Sequence, residues 1–350
     1  MSVVVDIRKK TKEFSLDVSF KAENETLGLL GASGCGKSMT LKCIAGIETP
    51  DAGRITIDGI TVFDSGKKIN ICPQKRKTGY LFQNYALFPT MTVAQNIGIA
   101  MKDTADRERG PRIAKLIEKT HLFGLENRYP RQLSGGQQQR TALARLLAAS
   151  PRIIMLDEPF SALDSFLRQQ MEEELLDSLT AFPGTILFVS HNRDEAFRIC
   201  ARLAVLHDGK KVREGPTADI LSDPQTVEAA RLTGCKNIAP ATKAGKRHIS
   251  VPSWGLTLET EADVMDDIKH AGIHAHHIRS ARENESANAF AARISWFRDS
   301  PFSLTGSVLA GSSTEKLFWN PERADQEGRD TGSNESIRLC IPSAHILLLR

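Results

Sequence analysis

Leu27-Gly28-Leu29-Leu30-Gly31-Ala32-Ser33-Gly34-Cys35-Gly36-Lys37-Ser38-Met39-Thr40-Leu41-Lys42-Cys43-Ile44-Ala45-Gly46-Ile47 passes from an apolar run through a glycine-rich turn into a segment that can be helical. Leu27 to Leu30 has the character of a short buried strand. The glycines at 31, 34 and 36 let the backbone wrap an anion with its N–H groups turned inward, and Lys37 brings a positive charge to β and γ phosphates. Ser38 supplies a hydroxyl for Mg²⁺. Strand, loop and helix in this order imply an α/β fold. They also imply a phosphate site made by Gly31, Ala32, Ser33, Gly34, Cys35, Gly36, Lys37, Ser38 and Met39.

Arg152 to Glu158, Arg-Ile-Ile-Met-Leu-Asp-Glu, reads as a buried strand ending in two carboxylates, at the edge where open α/β sheets place their ligands. Asp157 is placed to hold Mg²⁺, directly or through water, and Glu158 to act as general base on an attacking water. Residues 133–140, Leu-Ser-Gly-Gly-Gln-Gln-Gln-Arg, read as a helix start offering unpaired backbone N–H groups and the positive end of the helix dipole. No lysine accompanies them, so this is half of a phosphate site. The chain already carries a complete loop. The economical reading is therefore that Ser134, Gly135, Gly136 and Gln137 complete a nucleotide site on another copy.

This constellation resembles the ATP-binding cassette (ABC) proteins, with residues 133–140 similar to their signature motif. Three more positions fit the family pattern in chain order. Gln83, in Gly79-Tyr80-Leu81-Phe82-Gln83, is similar to the Q-loop glutamine, whose amide approaches both Mg²⁺ and the water. Ser161-Ala162-Leu163-Asp164 resembles the loop that crosses between two cassettes, and His191, in Phe188-Val189-Ser190-His191, resembles the switch histidine that contacts the γ phosphate. The resemblance implies ATP and Mg²⁺ as the bound species. It implies Ser38, Gln83 and Asp157 around the metal, and Glu158, His191 and Gln83 as the catalytic set. Family members often stack adenine on an aromatic ring ahead of the loop, and Phe14 is the available candidate. Phe14 has a competing place as one of Phe14, Leu16, Val18 and Phe20, which alternate along one face of a strand.

The resemblance makes residues 1–235 an ABC cassette of the P-loop NTPase type, a RecA-like core with a helical subdomain at about 84–150. Within that insert Thr92–Met101, Arg112–His121 and Gln137–Ala149 suit helices. Leu203–His207 and Lys210–Arg213 flank Asp208-Gly209 as a hairpin, and Thr217–Leu232 suits a helix pair broken at Asp223-Pro224. From residue 239 the pattern changes to short β-rich runs: His248–Val251, Leu256–Glu259, Gly272–Ile278, Phe290–Trp296, Leu304–Leu309, Ile337–Ile341 and Ile346–Leu349. This spacing suggests a small C-terminal OB-like β-barrel over 239–350; the resemblance makes a regulatory or dimerisation domain the expected role for it. Residues 324–336 read as a long loop.

Bulk properties narrow the function classes. A net charge of +4, with basic runs that lack interleaved aromatics, argues against a nucleic-acid surface. No apolar stretch approaches the roughly 20 residues of a membrane span, and the charged N-terminus does not suit a secretory signal. Six cysteines without a CxxC pair argue against a zinc knuckle or a disulfide framework, and for a reducing compartment. His270, His274, His276 and His277 raise a metal reading, but no carboxylate or cysteine joins them at ligand spacing, so they read as a strand surface.

Leu87-Phe88-Pro89-Thr90-Met91-Thr92-Val93 resembles the importer branch of the family, in which this region receives a short coupling helix from a transmembrane subunit. Leu232–Ile238 and Gly272–Arg279 are most similar to the molybdate and sulfate branch. Ser286–Phe290 matches molybdate-binding tail domains only in part, since no arginine precedes Asn288. The resemblance implies an ATPase subunit at the cytoplasmic face of the cell membrane, peripheral and working as a dimer. Its partners are then transmembrane permease subunits and, indirectly, a solute-binding protein, with molybdate or a related oxyanion as cargo. The alternatives are sulfate, a sugar, a polyamine or ferric iron. A non-transport ABC ATPase is disfavoured because the chain has neither tandem cassettes nor a coiled-coil insertion.

Overall fold

Strands β1 (Ser2–Lys10) and β2 (Ser15–Glu23) alternate buried and exposed residues, so Val3, Val5, Ile7, Leu16, Val18 and Phe20 point to one core. They belong to a computed structural model that describes residues 1–350 except 13, 102–103, 162–164, 181, 301–302, 312, 314 and 322–335. Ala162, Leu163 and Asp164 of the expected crossing loop, and most of the expected loop 324–336, therefore lie outside the described residues. By packing, the chain divides into Met1–Thr217 and Ala218–Arg350. That division precedes the composition change near residue 239.

The first unit is built on one sheet. Its further strands are β3 (Thr26–Leu30), β4 (Ala52–Ile57), β5 (Ile60–Asp64), β6 (Ile69–Asn70), β7 (Thr78–Leu81), β8 (Ile153–Asp157), β9 (Thr185–Ser190), β10 (Arg202–His207) and β11 (Lys210–Pro216). Their order is β6-β5-β4-β1-β2-β11-β10-β3-β9-β8-β7. Strands β10, β3, β9, β8 and β7 run parallel, and β8 and β9 are buried throughout, as expected of strands covered on both faces. Asp208 (φ 45°) and Gly209 (φ 75°) turn the β10–β11 hairpin.

Helix α1 (Lys37–Ala45) follows the loop after β3. Arg76, only 2% exposed, caps its far end. The guanidinium donates to the carbonyls of Cys43 and Ile44 at 2.9 Å, to that of Ile71 at 2.7 Å and to Asn70 Oδ1 at 2.8 Å. The cation thus sits at the negative end of the helix that carries the loop lysine. Arg76→Ala removes four hydrogen bonds and, among the described residues, leaves the Cys43 carbonyl with only the Gly46 N–H, at 3.2 Å. It is expected to lower the stability of this unit by about 2–4 kcal/mol, measured as a shifted urea midpoint at unchanged m.

Between β7 and β8 stand α2 (Val93–Gly98), α3 (Asp106–Lys119) and α4 (Gly135–Ala148). They share their own core of Val93, Ile97, Met101, Ile117, Leu122 and Ala144. Helices α5 (Ser165–Thr180) and α6 (Arg193–Ile199) follow β8 and β9. No helix among the described residues is long and apolar enough to cross a membrane.

The second unit contains α7 (Thr217–Ser222, from its second residue) and α8 (Val227–Leu232). Its strands are β12 (Asn237–Pro240), β13 (Thr242–Gly245), β14 (His248–Val251), β15 (Leu256–Glu259), β16 (His270–Ile273), β17 (Arg279–Ser280), β18 (Ala289–Ser300), β19 (Ser303–Ala310), β20 (Leu317–Trp319), β21 (Ser336–Cys340) and β22 (Leu347–Leu349). They pair as β12-β16-β22, β13-β14-β15 and β17-β21-β18-β19-β20, a curled half-barrel consistent with a small OB-like domain. Trp254, Ile249, Val308, Leu339 and Ile341 lie in its core.

The strand expected over Gly272–Ile278 stops at Ile273. There Asn237 Nδ2 donates to the Ile273 carbonyl at 3.1 Å, and residues 275–277 turn into a short 3-10 helix. His274 and His276 are therefore not a strand face. Their rings pack with each other and with His277 instead, and His277 stacks on His345 at 3.8 Å. Among the described residues no group of three or more His, Cys, Asp or Glu is placed to hold a metal, and all six cysteines are free.

Burial, followed by the neighbouring imidazoles of His276, His345 and His274, pushes His277 from 6.5 down to about 4. A base whose folded value lies below its unfolded value takes up protons on unfolding, so stability present above pH 6.5 drains away as pH falls toward 4. After discounting for partial solvent exposure, the loss is on the order of 1 kcal/mol. Thermal melts of the chain at pH 7.5 and 5 should show it, and His277→Asn should flatten the dependence.

Candidate nucleotide site

The carboxyl ends of three parallel strands meet at one level, because Leu30 of β3 pairs with Ser190 of β9 and Val189 with Asp157 of β8. The segments leaving those ends are brought together: the loop after β3, Asp157-Glu158 after β8, and His191 after β9. This is where an open α/β sheet offers a crevice.

The loop shows why glycine is needed in it. A Cβ on Gly31 would lie 2.4 Å from the Leu206 carbonyl oxygen, and Gly36 has φ 104°, a left-handed conformation. Lys37 is 4% exposed, and its Nζ donates to the carbonyls of Gly31 at 2.8 Å and Ala32 at 2.9 Å. The charge is thereby folded back over the loop's own backbone. Ala32, Ser33 and Gly34 are exposed, Cys35 and Gly36 are buried, and half-buried Met39 packs on the main core.

Ser38 Oγ donates to Asp157 Oδ1 at 2.7 Å, and the Tyr80 hydroxyl to Asp157 Oδ2 at 2.7 Å. Burial, followed by the hydrogen bond to Asp157, pushes the Tyr80 phenol well up, so it remains a donor. A hydroxyl and a carboxylate beside a phosphate loop are hard oxygen donors, the set Mg²⁺ uses together with water and phosphate oxygens. The residues present fit that ion.

Glu158 has φ 47°, uncommon for a non-glycine residue, and its backbone is held there. Its N–H donates to the Val189 carbonyl at 3.0 Å, and its carbonyl accepts from the Ser161 hydroxyl at 2.9 Å. The turn points the carboxylate toward His191, whose Nδ1 lies 3.2 Å from Glu158 Oε2. Strain at such a position marks a site whose side-chain direction matters.

Phe14 lies just ahead of β2 rather than within it, because Thr11 closes a turn on it: the Thr11 N–H donates to the Phe14 carbonyl at 2.9 Å. Its half-buried ring borders the loop, with Cε2 3.2 Å from where a Gly36 Cβ would stand. Leu16, Val18, Phe20 and Ala22 form the buried strand face, and Phe14 is not part of it.

Gln83 is exposed in the segment after β7, and among the described residues no hydrogen bond joins it to Ser38 or Asp157. That segment is held from α4. Arg145 donates to the carbonyls of Tyr85 and Ala86, each at 2.8 Å, and lies over the Phe88 ring at 5.5 Å. Arg145 and Tyr80 went unrecognised in the sequence, because both act across the fold and neither carries a local signal.

Ser134 is the N-cap of α4. Its Oγ accepts the Gln137 N–H at 3.3 Å, while Gln137 Oε1 accepts the Ser134 N–H at 2.9 Å. This capping box leaves the amides of Gly135 and Gly136 as the first-turn donors it does not use. Among the described residues no hydrogen bond or ion pair links Ser134–Gln137 to the loop, Asp157 or Glu158 of the same chain.

A family model described as ABC transporter matches residues 14–161. An Fe(3+) ions import ATP-binding protein, FbpC, of Haemophilus influenzae is 41% identical over 228 residues, covering 64% of this chain and 64% of that protein. The putrescine transport ATP-binding protein PotG of Escherichia coli is 36% identical over 282 residues, 77% of this chain and 73% of its own length. The molybdenum import ATP-binding protein ModC of Paramagnetospirillum magneticum is 37% identical over 220 residues, 63% of this chain and 61% of its own. The dimeric post-hydrolysis structure of the ATP-binding cassette MJ0796 with ADP and Pi superposes with a TM-score of 0.52 at 30% identity, over 62% of this chain and 99% of that one. The chain belongs to the family of ABC transporter ATP-binding proteins.

Proposed function

We propose that this chain hydrolyses ATP as the energising subunit of an importer, docked on the cytoplasmic face of a membrane against permease subunits. One observation carries the reading: the Ser38–Asp157 bond and the Glu158–His191 pair stand side by side at the sheet edge next to the Lys37 loop. In this reading the amides of Gly31 to Ser38 cradle the phosphates, and Lys37 leaves its loop carbonyls for the β and γ oxygens. Ser38 and Asp157 hold Mg²⁺, with Gln83 joining them when its segment closes. The bound ion offsets phosphate charge. Glu158 takes a proton from the attacking water, His191 orients the γ phosphate, and Phe14 offers its ring to adenine. A second copy supplies the Gly135 and Gly136 amides, framed by Ser134 and Gln137.

The permease contact is assigned to a groove of ≈ 660 Å³ between α2 and α3, lined by Met91, Ala94, Gly98, Ile99 and Ile113 together with Thr90, Gln95 and Arg109. It adjoins the Phe88–Thr92 segment that Asn96 pins through the Phe88 and Met91 backbone. Its floor is mostly apolar with a polar edge at Gln95 and Arg109, and its size suits a short amphipathic helix.

For cargo we favour molybdate or a related oxyanion, on the similarity of Leu232–Ile238 and Gly272–Arg279 to that branch and on the ModC relative. The tail is not assigned as a direct oxyanion site. Asn288 donates to the Glu259 carbonyl at 2.7 Å and accepts the Glu259 N–H at 2.6 Å, so its amide serves as a backbone clip. Iron, sulfate and polyamine remain the competing cargoes, since relatives with those names are 41%, 40% and 39% identical to this chain. Uptake of labelled molybdate, sulfate, Fe³⁺ and spermidine by cells lacking this chain identifies the cargo. Molybdate uptake should be lost, restored by the wild-type chain and not by Glu158→Gln; unaffected molybdate uptake rejects the oxyanion assignment.

A further inference from the structure

Asp157 is engaged on both oxygens, and the two donors differ in kind. Ser38 Oγ, 2.7 Å from Oδ1, comes from the phosphate loop. The Tyr80 hydroxyl, 2.7 Å from Oδ2, comes from β7, the edge strand that leads into the segment of Gln83. Tyr80 pairs with Met155 in the β7–β8 ladder, two residues before Asp157, so its side chain leans forward along the sheet. Phe82 packs against its ring at a centroid distance of 4.4 Å.

We propose that Tyr80 is a positioning residue that occupies Oδ2 of Asp157 and so reserves Oδ1 for the Mg²⁺ of the bound nucleotide. This rests on the nucleotide reading above. A free carboxylate turns about its last torsion and presents either oxygen, or both. Mg²⁺ demands near-octahedral geometry and binds through single carboxylate oxygens, so a group that turns or chelates is a poorer ligand. A phenol on one oxygen fixes the plane and removes the bidentate option. Partners of this kind, one bond away from a metal ligand, typically cost about 10–100-fold in metal affinity or activity when removed. Tyr80 also ties the metal ligand to the base of the Gln83 segment, so movement of that segment and loading of the metal share one hydrogen bond.

Tyr80→Phe keeps the ring, its packing on Phe82 and the strand register, and deletes only the hydroxyl. Three measurements on the 350-residue chain test it. The Mg²⁺ concentration for half-maximal ATP hydrolysis should rise roughly 10-fold or more, with kcat at saturating Mg²⁺ changed less than about threefold. Mn²⁺ binding in the presence of ATP, read by electron paramagnetic resonance in a Glu158→Gln background, should weaken by a similar factor. ATP binding in EDTA should stay the same. Unchanged Mg²⁺ and Mn²⁺ dependence overturns the proposal. So does an equal loss of ATP binding in EDTA with a lowered melting point, because that marks a merely structural role. Absence of ATP-dependent Mn²⁺ binding in the Glu158→Gln chain with Tyr80 intact rejects the nucleotide reading itself, and this inference with it.

Discussion

Glu158→Gln should lower kcat for ATP hydrolysis by about 10²–10⁴-fold while leaving ATP binding and ATP-dependent dimerisation in place. The substitution is nearly isosteric. The backbone turn that aims the side chain does not depend on its charge, because the left-handed conformation at φ 47° is held by backbone bonds to Val189 and Ser161. An amide in the same place still reaches His191, 3.2 Å away in the wild type, and still admits a water. What it lacks is a basic oxygen. Loss of proton abstraction with retained binding separates this role from that of Asp157, whose replacement should weaken Mg²⁺-dependent binding as well. Single-turnover hydrolysis and size exclusion with ATP read the two effects apart. A variant that hydrolyses within about threefold of wild type removes Glu158 as the base and shifts attention to His191.

Much of this site was legible in the sequence because its chemistry is local. A loop that must wrap phosphate needs glycine where a Cβ would strike Leu206, and those glycines are visible as letters before any fold exists. The carboxylate pair after Arg152–Leu156 and the histidine after Phe188–Ser190 were legible for a related reason. Buried parallel strands are apolar runs, and the residues just past their carboxyl ends gather at the same sheet edge. The hairpin at Asp208-Gly209 and the strands His248–Val251 and Leu256–Glu259 obey turn chemistry and period-two patterning in the same way.

The remaining features depend on register and on side chains that reach across the chain. Tyr80 meets Asp157 only because β7 and β8 align Leu81 with Leu156, and Arg145 holds Tyr85 and Ala86 only because α4 returns beside β7. Alternation extended the strand at Gly272 through Ile278, but Asn237, far away in sequence, captures the Ile273 carbonyl and ends it. Phe14 fitted an alternating strand face until the Thr11 turn removed it from the strand and set its ring at the loop. Local pattern carries the chemistry of such a site. Its alignment is carried by contacts of long sequence separation, which leave no periodic trace.

Ser134→Arg should abolish hydrolysis by the assembled protein, by at least about 100-fold, while leaving ATP affinity of the monomer within about threefold. Ser134 is exposed at the start of α4, and losing its cap costs about 1 kcal/mol. The buried face of that helix, Ala142, Leu143, Ala144 and Leu146, is untouched, so the chain should fold. Because among the described residues no hydrogen bond or ion pair joins Ser134–Gln137 to the Lys37 loop of the same chain, a long side chain there is expected to leave that loop intact. In the proposed dimer the same side chain must lie where the opposite copy's γ phosphate sits. Mixing decides whether the sites are shared. A Ser134→Arg chain retains a good loop and a Lys37→Ala chain retains a good signature, each inactive alone. If a site takes its loop from one copy and its signature from the other, every mixed dimer has one site with both halves intact. Random mixing then restores up to about a quarter of wild-type activity if the sites act independently. If loop and signature of one chain served the same nucleotide, both sites of a mixed dimer would be broken and no activity would return. Recovery on mixing is therefore the expected result, and its absence rejects the two-copy site.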